Sequence, residues 1–405
     1  MDGKKGVVMP LQLAERANVI EPSATLAMGA EAKRLKASGL RILDFALGEP
    51  DFNTPLNIQE AAIRAMREGK THYTAPSGLP ELREVIAEQY RRDRGLPTDA
   101  SRVVVSNGAK HSIHNALMAV CGPGDEVIIP APYWVSYADL VKLTGATPVV
   151  VPTSESEGFK LSPERFRRFV TPRTRLLMLN SPSNPTGVVY ERTELEALAD
   201  AVLQTDVGVL SDEIYEQLTY GDAQATCFAT LRPELVERTI TISGVSKTYA
   251  MTGWRIGWSV APASVSRFMG DLQSQETSNP CSISQWAAIE ALTGPQDSVA
   301  TMKAEFARRR DYVVQRIRDL PGVQCIPPGG AFYAFMNVQE HFGRTLGGFD
   351  VRDSTSFCMA ALAAARVALV MGSAFGAEGY VRMSFATDLA TIEEGFDSLA
   401  AFLNS

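Results

Sequence analysis

Between about residues 57 and 300 the chain alternates two kinds of apolar pattern. AAIRAMREG (61–69) and PELREVIAEQYRRD (80–93) place apolar residues at helical spacing with charges between them. RVVVS (102–106), EVIIP (126–130), TPVVV (147–151), RLLMLN (175–180), VGVLS (207–211) and RTITIS (238–243) are short β-branched or aliphatic runs. Helical stretches are predicted between them, one opening at Gly108, one over 133–144 and one at ELEALADAVL (194–203). The runs are apolar on both sides, as parallel strands covered by helices on both faces should be. This predicts a large α/β layer with a mainly parallel sheet.

After about residue 300 the rhythm changes. A long charged helix, MKAEFARRRDYVVQRIRDL, leads into GVQCI, AFYAFM, a helix over 353–365, VALVM, YVRMSFA and a closing helix over 389–403. Strands and helices are grouped less regularly here, as in an α+β unit. The expected organisation is a large α/β domain over 51–300 and a smaller C-terminal domain over 301–405. Residues 1–50 are expected to pack with the smaller one. No repeat or low-complexity linker interrupts the pattern.

Composition narrows the field without naming a chemistry. The 405 residues carry 39 Lys plus Arg against 46 Asp plus Glu, a formal net charge of −7, and 45% are hydrophobic. That excludes a largely disordered chain, and the acidic balance without a basic run argues against nucleic acid as the main partner. No run of 18 apolar residues appears, so no membrane span is predicted. The opening MDGKKGVVMP lacks the apolar stretch of a signal peptide. Cys121, Cys227, Cys281, Cys325 and Cys358 are odd in number and form no CxxC pair, which suits reduced thiols in a cytoplasmic protein.

Several chemistries have no foothold. GxSxG, HExxH, Walker-loop and GxGxxG patterns are absent. His111 and His114 lie three apart on a predicted helix, but no carboxylate or cysteine at ligand spacing accompanies them. They read as ordinary helix residues, and no metal site is predicted.

One segment does carry a chemical signal: GVSKTYAMTGWRIG, from Gly244 to Gly257, directly after a predicted buried strand. Lys247 sits among small and apolar residues, where desolvation lowers an amine's pKa. A neutral amine is what imine formation with an aldehyde requires. Eight residues on, Arg255 lies between Gly253 and Gly257, where a guanidinium held by tight backbone suits a phosphate. Without the glycine spacing, both would read as surface cations.

This segment resembles the lysine signature of class I aminotransferases, the aspartate aminotransferase family that works with pyridoxal phosphate. LGEPDF (47–52), THYTAPSG (71–78), SNGAK (106–110), PYW (132–134), NSPSNPTG (180–187) and SDEIY (211–215) look like further motifs of that family, in family order. The resemblance implies the pyridoxal-phosphate transferase fold type I, with a seven-stranded, mainly parallel sheet. It also implies a homodimer with shared active sites.

The resemblance assigns Lys247 as the residue that bonds the cofactor and moves the proton. Gly108, Ala109 and Lys110 open a helix whose N-terminal N–H groups suit phosphate oxygens. Ser246, Arg255 and Tyr73 are the further phosphate contacts, Tyr73 reaching the neighbouring subunit's site. A serine three before the lysine is common in the family, but Gly244 stands there, and Ser243 is a candidate replacement. Asp212 matches the anion at the ring nitrogen, which strengthens the electron sink. Asn184 and Tyr215 match donors to the ring hydroxyl, and Trp134 the aromatic on the ring face. Cis peptide bonds are implied at Ala131–Pro132 and Asn184–Pro185. Each residue also has an ordinary reading in isolation: Asp212 as a helix cap, Asn184 as a turn residue, Trp134 as core.

For the substrate, Arg382 matches the α-carboxylate clamp and Gly48 a backbone donor at the same group. The arginine that one branch carries before its SNP motif is missing, since no Lys or Arg occurs between Arg267 and Lys303. A second, bacterial branch uses a threonine in SAT and a lysine after Gly-Ala; Thr25 and Lys110 match these. The expected reaction moves an amino group from an L-amino acid, aspartate by these residues, to 2-oxoglutarate in ping-pong fashion. Aromatic, prephenate or specialised biosynthetic aminotransferases, and lyases on the same scaffold, keep the same cofactor motifs and stay open.

Overall fold

The computed structural model describes residues 11–18, 20 and 24–405, the side chains of residues 15, 16 and 24–26 excepted. Its centre is a seven-stranded sheet. In space the strands run Val103–Ser106, Gly257–Val260, Thr239–Gly244, Gly208–Asp212, Thr174–Asn180, Glu126–Ala131 and Thr147–Pro152. All are parallel except Gly257–Val260, which is antiparallel to both neighbours. The six runs expected as strands are strands, with ends moved by a residue or so. The antiparallel member has no sequence signal: GWSV is short, unalternating and begins with glycine.

Ile128, Leu177, Val209 and Ile242 of the interior strands are fully enclosed, and so are Val103 and Val105 of Val103–Ser106 at one edge of the sheet. Thr147–Pro152, at the sheet's other edge, departs from the expected two-sided burial: only Val151 is buried there. Helices cover the sheet. Pro80–Arg94 starts with proline at its first position and stops at Gly95 in the left-handed region (φ 68°). The helix expected over 133–144 spans Ser136–Leu143.

A second sheet, antiparallel, is built from Val370–Met371, Tyr380–Ser384, Tyr333–Asn337 and Gln324–Cys325. VALVM, expected as one strand, divides. Val367–Ala368 pairs in parallel with Leu43–Asp44, and Val370–Met371 pairs with Tyr380–Ser384. The N-terminal segment thereby joins the C-terminal core: Ile42, Leu43, Phe45 and Ala46 are buried with it, and Ser384 N–H donates to Phe45 O at 2.9 Å.

The topology brings Asn180, Asp212 and Gly244, the last residues of three adjacent parallel strands, to one edge of the large sheet. Ser106 lies in the same row across Gly257. Ligands of open α/β sheets bind at this carboxyl edge. Both expected cis bonds, Ala131–Pro132 and Asn184–Pro185, are present, with a third at Ser181–Pro182.

Candidate active site

A cavity of about 440 Å³ opens at that edge. It is lined by Lys247, Ala109, Lys110, Trp134, Asn184, Asp212, Tyr215, Ser246, Arg255, Gly48 and Arg382. These come from segments far apart in sequence, so only folding assembles them. Gly108 caps the helix Ala109–Val120 directly behind. Tyr73 is outside, 91% exposed. Ser23, of the SAT motif, and the side chain of Thr25 lie outside the described residues.

Lys247 follows the strand Thr239–Gly244 and donates from Nζ to Gly48 O at 2.5 Å. Burial lowers its pKa to about 8; Glu49 and Asp212 counter that, while Arg382 and Arg255 add to it. The unreacted amine is therefore substantially neutral slightly above physiological pH, the form a nucleophile or base requires.

Asp212 ends its strand fully enclosed. Tyr137 Oη donates to its Oδ2 at 2.6 Å and Ile214 N–H to its Oδ1 at 3.2 Å. Burial raises its pKa to about 6, against the lowering effect of those donors. Asn184 is set by Asn180, whose Oδ1 accepts its N–H at 2.8 Å. Arg382 Nη1 donates to Asn184 Oδ1 at 2.9 Å and Nη2 to Ala46 O at 2.7 Å. Arg382 is 2% exposed, its Nε has no partner among the described residues, and it stacks on Tyr333 with 4.4 Å to the ring centroid. Among the described residues no carboxylate neutralises it, and burial pulls its pKa down.

The other end of the cavity is a cup of backbone and cations. Gly108 has φ 84°, and a Cβ there would overlap the Arg255 guanidinium. Arg255 itself is left-handed (φ 55°), with Nη1 donating to Thr252 O at 2.7 Å. A Cβ at Gly257 would overlap Ala109 N, so glycine lets the strand press on the helix start. The same crowding explains Gly244, where a Cβ would stand 2.9 Å from Gly257 Cα. Ser243 does not take the missing serine's place. Its hydroxyl donates to Glu216 Oε1 at 3.3 Å, because successive strand residues face opposite ways. Lys110 Nζ lies 4.8 Å from the Trp134 ring centroid, and burial together with Arg255 lowers its pKa.

Two residues of the site escaped sequence reasoning. Tyr137 holds Asp212, and Tyr333 underlies Arg382 while its hydroxyl meets Tyr215 Oη at 2.8 Å. Each is a tyrosine in an apolar segment with no local mark. His111 and His114 stack on each other and face Glu276 at 3.7 and 3.4 Å.

The family description "Aminotransferase class I and II" matches residues 41–399. The chain belongs to that family.

Aminotransferases of this family use pyridoxal phosphate, and the cavity fits it. It has an amine of depressed pKa for the aldehyde, a buried carboxylate with its own donor for the ring nitrogen, and a glycine-lined helix start with Arg255 for the phosphate. The chain is 46% identical to an aspartate aminotransferase of Geobacillus stearothermophilus, over 98% of this chain and all of that one. It is also 46% identical to an aspartate/prephenate aminotransferase of Cereibacter sphaeroides, over 95% and 96% of the two chains. The solved aspartate aminotransferase of Thermus thermophilus with maleate superposes with a TM-score of 0.91 at 39% identity, covering 96% of this chain and 99% of that one. Among the described residues, no helix of this aminotransferase is long and apolar enough to cross a membrane.

Proposed function

We propose that the protein transfers the amino group of L-aspartate to 2-oxoglutarate, with site residues in the roles their motifs suggest. The observation that carries the dicarboxylate choice is a pair of cations without carboxylate partners among the described residues, Arg382 and Lys110, lining one cavity with Lys247. Arg382 offers a buried planar fork to the α-carboxylate, beside the Gly48 backbone. Lys110 and Thr25 are the candidates for the distal carboxylate. The relative seen with maleate holds a dicarboxylate, which supports the same choice. Prephenate, also a dicarboxylate, is the second reading, favoured by the aspartate/prephenate relative.

Bound pyridoxal phosphate supplies the electron sink for the pair left when the amino acid's Cα–H bond breaks. The chain's residues do the rest. Lys247 Nζ takes the Cα proton and returns it on the other side of the transfer. Asp212, kept in place by Tyr137, holds positive charge at the ring nitrogen. Asn184 and Tyr215 donate to the ring oxygen, Trp134 covers the ring face, and Ser246, Arg255 and the Gly108–Ala109–Lys110 turn hold the phosphate. The two half-reactions use the same groups in opposite order, so kinetics are ping-pong. A donor panel of aspartate, phenylalanine and tyrosine with 2-oxoglutarate, together with prephenate as acceptor from aspartate or glutamate, tests the assignment; preference for an aromatic donor overturns it.

Lys110→Ala is expected to lower kcat/KM for aspartate by about 10²-fold, the loss of a charged hydrogen bond of about 1.5–3 kcal/mol. Phenylalanine turnover, where measurable, should change far less, because its ring needs no cation. Equal losses on both substrates would make Lys110 a phosphate-side residue.

The reading of a homodimer with shared sites is supported by Tyr73, which is exposed and away from its own cavity. Leu56, Ile63 and Met66 leave apolar surface on one helix. Mixing Tyr73→Phe with Lys247→Ala chains gives heterodimers in which one site carries both lesions and the other neither. Activity above that of Tyr73→Phe homodimers supports sharing. Its absence despite proven subunit exchange places Tyr73 in its own site. Domain boundaries near residues 50 and 300 and a cytoplasmic setting complete this reading. The first is supported by the two separate sheets, the second by five unpaired thiols.

A further inference from the structure

Tyr333 belongs to none of the motifs, yet it touches two residues of the site at once. It opens the strand Tyr333–Asn337, whose neighbour Tyr380–Ser384 carries Arg382. Its ring is fully buried and supports the Arg382 guanidinium at 4.4 Å. Its hydroxyl has one hydrogen-bond partner among the described residues, Tyr215 Oη at 2.8 Å. Phe332 and Tyr333 both pack on the Tyr215 ring, edge-on at 5.5 and 5.9 Å.

The direction of this hydrogen bond matters. Each phenol has one proton. Were Tyr215 to donate to Tyr333, its only proton would be used up and none would remain for a group in the cavity. With Tyr333 donating, Tyr215 accepts and keeps its own proton for the cavity. Burial holds both phenols above their ordinary pKa, so both stay protonated donors at working pH. The charged groups around the pair are Arg382 on Tyr333, Lys247 with Nζ 5.9 Å from the Tyr215 centroid, and Asp212.

We propose that Tyr333 is a positioning residue that acts through Tyr215: its hydroxyl donates to Tyr215 Oη, orienting and strengthening the donor Tyr215 presents to the cofactor's ring oxygen. A hydroxyl that accepts one hydrogen bond becomes a better donor of the next. A better donor at the ring oxygen stabilises its anion and lowers the pKa of the lysine-bound chromophore. The aromatic ring has a separate role, as the floor under Arg382. The inference rests on the reading that Tyr215 touches the ring oxygen.

Two Tyr333 variants separate hydroxyl from ring, and Tyr215→Phe tests the underlying reading. The measurement is a pH titration of the visible absorbance of the loaded protein, without substrate. Tyr215→Phe is expected to raise the chromophore pKa by about one unit, the loss of a hydrogen bond to a charged group. Tyr333→Phe should raise it by about 0.3 unit, the cooperative share of that bond, with KM for aspartate within about twofold of wild type. In the double variant the pKa should match Tyr215→Phe alone, since Tyr333 has nothing left to act through. Tyr333→Leu should raise KM as well, because the floor under Arg382 is gone. A Tyr333→Phe titration that overlays wild type, while Tyr215→Phe shifts, overturns the role of Tyr333. No shift in Tyr215→Phe overturns the reading beneath it.

Discussion

Lys247→Ala protein is expected to bind pyridoxal phosphate and to lose transamination by at least about 10⁴-fold, the upper range of a single acid–base group. The phosphate cup and Asp212 do not involve the lysine side chain, so the cofactor should still associate. What disappears is the amine proposed to move the proton. The groups nearest the lysine are committed elsewhere: Asp212 is tied to Tyr137 and Tyr215 to Tyr333, Arg382 carries no removable proton at working pH, and the second amine, Lys110, lies over the Trp134 ring. Folding should not suffer, because the variant removes an amine that burial already disfavours in its charged form. Single-turnover absorbance with aspartate, with borohydride trapping of the wild-type lysine as the reference, measures the loss. Turnover within tenfold of wild type would take Lys247 out of the mechanism.

Arg382→Lys should lower kcat/KM for aspartate and for 2-oxoglutarate by about 10²–10³-fold, within the range for truncating a buried hydrogen-bonded charge. The charge survives but the fork does not. Arg382 already spends Nη1 on Asn184 and Nη2 on Ala46 while keeping its plane on Tyr333. An ammonium on a single stem cannot hold both anchors and still face a carboxylate in plane. The carboxylate contact exists before and during proton transfer, so the loss should fall mainly on KM. Initial-rate kinetics on both substrates separate the two constants. An unchanged KM would remove Arg382 from carboxylate binding.

The apolar runs betrayed the parallel strands because each interior strand is buried on both faces and needs no partner to announce itself. The edge strand Thr147–Pro152 reads the same way although it is largely exposed, while Val103–Ser106 at the opposite edge is buried, since apolar content does not report what covers a strand. VALVM read as one strand, and the fold divides it between Leu43–Asp44 and Tyr380–Ser384. Strand pairing is a property of two segments, and neither half of that division is visible in five apolar residues.

The site divides along the same line. Lys247, Asp212, Asn184 and Arg255 were legible because each sits in a motif where small residues, glycines or strand ends give the backbone a recognisable local form. Gly244 was legible as a departure, but the reason for it, contact with Gly257 across the sheet, was not. Ser243 looked available for phosphate until the strand's alternation turned it toward Glu216. Tyr137 and Tyr333 reach their partners across 75 and 118 positions and carry no local mark. The family, the cofactor and the lysine proposed to react are legible in the amino-acid sequence alone, because those depend on residue type at short spacing. Tertiary structure decided which donors orient the reacting groups, which cation lacks a carboxylate and which hydroxyl is turned away. Those depend on burial and distance between segments that only the closed fold brings within hydrogen-bond reach.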